Sequence, residues 1–169
     1  MKPALVPLST AVALLFSLSA PAAEPVPDGF QAAKFGMTRA EVLKAIPGAE
    51  EGGNGSLSVE KKIVGIAADV SFLFERNGRF QTASIEFETR GGGFVEFRRV
   101  RDALTRKYGE PTEKYEDVFH AIYTWGTHDK NYIYLEWARA DTGNKLALLY
   151  RGDLRLINPE VAKAEENDL

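Results

Sequence analysis

The chain has no cysteine among its 169 residues and only two histidines, His120 and His128. Without cysteine there is no disulfide, no thiol nucleophile and no lipid-modified cleavage site. The two histidines stand eight positions apart beside Glu116, Asp117 and Asp129. That matches neither the close helical pair nor the Cys/His spacing of zinc sites, so no metal is expected. Positive charge is also short: 21 Lys and Arg face 24 Asp and Glu, for a formal net charge of −3. Nucleic-acid binding needs clustered cations on the phosphates and is not expected here. The one basic cluster (Arg98, Arg99, Arg101, Arg106, Lys107) is interleaved with apolar residues and diluted by Glu96 and Asp102, as on a solvated helix face.

The usual signatures of catalysis are missing too. No serine lies in a G-x-S-x-G elbow, and neither phosphate-cradling glycine motif occurs. Asp69, Glu75, Glu86 and Glu88 could pair for acid–base work, but their alternation with apolar residues is what solvates an exposed strand face. No catalytic residue and no cofactor are assigned, and an enzyme is not expected.

What the chain does have is an N-terminal export pattern. Lys2 gives a positive start, AVALLFSL (Ala11 to Leu18) an apolar core, and Ser19-Ala20-Pro21-Ala22 the small residues of a cleavage site. The cut is expected after Ala22, with Ala23 the near alternative. Spanning a bilayer needs roughly 17 or more apolar residues, and Pro7, Ser9, Thr10, Ser17 and Ser19 interrupt this stretch. Removing 22 of 169 residues leaves 147 and takes the charge from −3 to −4, since Lys2 is lost and no acid. The mature protein is expected in the periplasm or outside the cell, with no stable membrane anchor. A core of this size can hold together by packing alone.

Residues 23–34, with Pro25, Pro27 and Gly29, read as a flexible lead-in. Thr38 and Glu41 then form a Thr-x-x-Glu capping box, with Met37 and Val42 as its hydrophobic staple. Val70, Phe72 and Phe74 alternate with polar residues up to Asn77-Gly78, a hairpin turn, and Phe80, Ala83, Ile85 and Phe87 return. After Gly91-Gly92-Gly93, read as a hinge, Phe94, Phe97, Val100, Leu104 and Tyr108 recur at helical spacing, closed by Gly109 and Pro111. Three alternating strands follow, carrying Ala121–Trp125, Ile133–Trp137 and Leu146–Tyr150. The expected fold is α+β in two layers: an antiparallel sheet with two helices on one face. It forms a single domain over 35–157, built from two α-β-β(-β) repeat units (35–90 and 91–157), with VSFLFE at Val70 aligned to AIYTWG at Ala121. Phe72, Phe74, Phe97, Leu104 and Trp125 are the expected core, and 158–169 is a polar tail or short helix.

The cap G-M-T-R-A-E-V (Gly36 to Val42) and the helix end L-T-R-K-Y-G-E-P (Leu104 to Pro111) resemble those of exported BamE/SmpA-like domains and of β-lactamase inhibitory proteins. The resemblance implies protein binding, either in envelope assembly or in enzyme inhibition through the open sheet face. The chain departs from it in lacking both the lipidated cysteine of the first group and the disulfides of the second.

Alternation supplies the candidate site. Tyr132, Tyr134 and Glu136, with Ile122 and His120 on the neighbouring strand, should emerge on the face away from the helices. Tyrosines among apolar neighbours suit a protein interface; they also suit exposed strands in general. The expected function is a non-catalytic module binding another envelope or exported protein. A small-molecule or lipid carrier is the alternative, and a hydrolase a more distant one.

Overall fold

The computed structural model describes residues 23–140 and 143–157, so the expected export signal (1–22) and the expected polar tail or short helix (158–169) lie outside the described residues. Fourteen elements follow one another among the described residues. A short hairpin, β1 (Gly29–Phe30) and β2 (Ala33–Lys34), precedes helix α1 (Arg39–Ala45). Strands β3 (Glu50–Glu51), β4 (Leu57–Ile63), β5 (Ile66–Phe74) and β6 (Phe80–Phe87) come next, with one 3-10 turn at Gly53–Gly55. Helix α2 (Phe94–Tyr108) leads to β7 (Glu113–Glu116), β8 (His120–Gly126), β9 (Tyr132–Ala140) and β10 (Gly143–Arg151), and α3 (Leu154–Ile157) follows.

The eight longer-range strands form one antiparallel sheet in the order β3-β4-β5-β6-β10-β9-β8-β7. The fold is α+β, as the alternation implied. A helix followed by four strands occurs twice, and the two sets meet at the central pair β6–β10. By position in this order β8 answers to β4 and β9 to β5, so the alignment of Val70 (β5) with Ala121 (β8) does not follow the topology.

Local sequence explains both main helices. At α1 the capping box is complete: Thr38 N–H donates to Glu41 Oε2 at 2.7 Å and Glu41 N–H to Thr38 Oγ1 at 3.4 Å. Val42 and Ile46 are buried beneath it, and Met37 packs on the core. At α2 the residues Phe97, Val100 and Leu104 are buried, and Gly109 closes the helix at φ 82°. Their partners are the alternate residues of one sheet face, from Leu57 through Val70, Phe72, Ile85, Leu148 and Leu135 to Trp125. Phe74 is only half-buried. It sits where the β5–β6 register shifts, and the Arg39 guanidinium lies 5.0 Å over its ring.

The flexible lead-in is corrected by the packing. Glu24 N–H donates to the Lys107 carbonyl at 2.9 Å, Val26 packs against the core, and Phe30 and Ala33 are buried. Eight strands at about 4.8 Å spacing make a sheet roughly 34 Å wide, whereas two helices cover about 20 Å of it. The β1–β2 hairpin fills the remainder. The Phe30 ring stands 5.1 Å from Tyr150 on β10 and 6.3 Å from Phe72 on β5. The triple glycine is likewise no free hinge: Trp137 Nε1 donates to the Gly92 carbonyl at 2.8 Å and Asn144 Nδ2 to that of Gly91 at 2.7 Å.

Candidate functional site

With both helices on one face, the other face carries the intervening residues of every strand, and the register aligns them in rows. One row runs Ser58, Ser71, Ser84, Leu149, Tyr134, Thr124 and Glu113. The next runs Glu60, Asp69, Glu86, Ala147, Glu136, Ile122 and Tyr115. The face therefore has two halves. Over β4–β6 it is small and acidic; over β7–β10 it is aromatic and apolar.

All five expected site residues lie on the second half, and all are half-buried. Tyr134 stands opposite both Thr124 and Leu149, and Ile122 opposite Glu136. Tyr132 lies opposite Arg151, whose Nη1 donates to the phenolic oxygen at 3.3 Å, and the His128 ring meets it edge-on at 4.5 Å. His120 stands opposite Ala138, and its Nε2 lies 3.2 Å from Glu136 Oε1. Lys145 Nζ donates to the other Glu136 oxygen at 2.8 Å. Burial pushes the Glu136 carboxyl up, but the hydrogen bonds from Lys145 and His120 outweigh it and hold the group below its ordinary value. The Tyr134 hydroxyl is raised, chiefly by burial and next by the nearby Glu136 charge. His120, Glu136 and Lys145 thus form a fixed polar island within the aromatic half.

Tyr115 belongs to this face and was not foreseen from the sequence. Its ring meets His120 edge-on at 6.0 Å, and it stands opposite Ile122. Its strand, EKYE, is exposed at every position and has no alternation to betray it. Lys145 was also missed, since its partnership with Glu136 depends on β9–β10 register.

On the acidic half, Glu60, Asp69 and Glu86 oppose one another directly, and none is in an ion pair among the described residues. Like charges in direct register destabilise a sheet. Among the described residues no group of three or more acidic, histidine or cysteine side chains could hold a metal ion. Neither histidine is hydrogen-bonded to a serine there; His120 pairs with Glu136 and His128 lies 3.9 Å from Glu113. The depression lined by Glu50, Ser58, Glu60, Lys61 and Asp69 is open and polar.

Both sheet edges are guarded. β3 is two exposed glutamates, and β7 is four exposed residues, three of them charged. Short, charged edges discourage strand addition, which leaves the face and its rim as the available surface. No protein-family model, curated protein or solved structure matches the chain.

Proposed function

We propose that this protein is a non-catalytic, exported binding module that docks another envelope or exported protein through the open sheet face. The observation that carries the reading is the alignment of Tyr134, Leu149, Ile122 and Tyr115 in neighbouring rows on the face away from both helices. Flat tyrosine-rich surfaces with apolar neighbours give large contact area at low entropic cost, and their central residues tend to dominate binding. The export pattern of Met1–Ala22 supports the location, and the family resemblance of the α1 cap and α2 end supports the class of function.

Two experiments test it. The soluble fraction released by osmotic shock should yield a chain beginning at Ala23 or Glu24; Met1 recovered from a membrane pellet refutes the location. Crosslinking in the producing cell, read by mass spectrometry, identifies the partner, which is then titrated with Tyr134→Ala and with Arg99→Ala on the outer face of α2. The tyrosine variant should lose about 1–4 kcal/mol of binding with an unchanged melting temperature. Full affinity for Tyr134→Ala with loss for Arg99→Ala moves the site to the helix layer.

A further inference from the structure

Large apolar side chains are most exposed at one end of the sheet, away from its flat centre. Val118 is 74% exposed, Val95 69% and Phe119 62%. Val118 and Phe119 form the turn between β7 and β8, while Phe94 and Val95 begin α2. The two groups share that end. The Phe119 carbonyl accepts the Arg139 N–H at 2.7 Å, and Phe94 meets Trp137 edge-on at 5.0 Å, one strand from Ala121.

The β7–β8 turn is held rigidly from within. Asp117 N–H donates to the His120 carbonyl at 2.8 Å, and Asp117 Oδ1 accepts the N–H groups of Phe119 and His120, each at 2.8 Å. The Tyr115 hydroxyl donates to the other carboxylate oxygen at 2.5 Å. The Asp117 carboxylate is thus engaged beneath the turn, and the two adjacent apolar side chains of Val118 and Phe119 stay exposed to solvent. A segment already ordered in a displayed conformation loses little entropy when it binds.

We infer that the β7–β8 turn is the anchor of the docking surface, inserting Val118 and Phe119 into an apolar pocket, bordered by Lys or Arg, on the partner protein. The inference rests on the protein-binding reading above and names the partner's chemistry. Charge decides between a protein and a lipid surface. Beside the turn, Glu116 and Asp117 are matched by Lys114 and by Arg139, whose N–H donates to the Phe119 carbonyl, while the sheet face continues into the acidic row of Glu60, Asp69 and Glu86. Attachment to anionic headgroups needs a cation excess that this balanced tip does not provide and that the acidic row opposes; a protein pocket rimmed by cations attracts that row and steers the approach.

The test places a photocrosslinking phenylalanine at position 119, at 134 and at 99 in the full chain. The protein captured is then purified and titrated with wild type, Phe119→Ala, Phe119→Leu and Tyr134→Ala. An adduct at 119, about tenfold weaker binding by Phe119→Ala and recovery in Phe119→Leu are expected, with melting temperatures unchanged because the residue is exposed. No adduct at 119, or wild-type affinity for Phe119→Ala while Tyr134→Ala weakens, removes the anchor and leaves the face reading standing. Wild-type affinity for both variants removes both. Vesicles of phosphatidylcholine and phosphatidylglycerol that sediment the wild type but not Phe119→Ala make the tip a membrane wedge and overturn the inference.

Discussion

Replacing Phe30 by alanine isolates the contribution of the β1–β2 hairpin to the core. The side chain is 8% exposed and touches the rings of Tyr150 and Phe72 in the gap between the helices. Truncating a buried phenylalanine costs about 3–5 kcal/mol, the spread reflecting how far the site can relax. A six-residue hairpin can settle into the space more readily than a central strand, so the low end applies, about 3 kcal/mol. For a domain of this size that lowers the melting temperature by about 10 °C. Urea denaturation measures it directly: the midpoint should fall, with the slope nearly unchanged if the hairpin stays docked. Phe72→Ala, on a central strand and fully buried, serves as the reference and should cost more. A loss below about 1 kcal/mol at Phe30 beside a full loss at Phe72 would falsify the hairpin's place in the helix layer.

Gln81 is the extra residue at the β5–β6 register shift, and its buried Nε2 has no hydrogen-bond partner among the described residues. An orphaned buried donor costs about 1–3 kcal/mol, so Gln81→Leu should leave stability equal or raise it in thermal melts; a clear loss contradicts the assignment. The Glu136 carboxyl is held below its ordinary value in the folded protein, chiefly through Lys145 and His120 against the pull of burial. Its contribution is therefore complete above the unfolded value near pH 4.3 and is lost as pH falls through the lower folded value. Glu136→Gln should accordingly show a shallower decline of stability below about pH 4 in urea titrations, and a decline as steep as wild type would place the acid sensitivity elsewhere. Thr38→Ala removes the acceptor of the α1 cap and should cost about 1 kcal/mol; a neutral effect in the same melts would mean that tertiary contacts alone hold the helix.

The elements legible in the sequence are those whose cause is local. The Thr38–Glu41 box, the three-and-four spacing through Phe97 and Leu104, and the alternation flanking Asn77-Gly78 each name their own structure. Parity along β8 and β9 likewise fixes which face Ile122 and Tyr134 occupy. What stayed hidden depends on partners distant in the chain. Residues 23–34 have the composition of a linker, and only the width of the sheet calls them into the core. β7 was invisible because an edge strand with neither side buried needs no alternation. The association of His120, Glu136 and Lys145 spans three strands and exists only once the register is set. Val118 and Phe119 could have been noticed as two adjacent apolar residues in a polar stretch with no periodic companions.

The central pair β6–β10 has a consequence for synthesis. β6 is the fourth strand of the first half, but its other neighbour is β10, the last strand among the described residues. Until Arg151 has been made, the first half carries a bare edge along Phe80–Phe87, a segment buried at most of its positions in the finished fold. At about 5–20 residues per second this edge waits on the order of seconds. During that interval the middle of the sheet, and not its guarded rims, is the surface open to pairing with another nascent chain. Holding the early half apart from its copies until the C-terminal strand arrives is a task the sequence leaves to its surroundings.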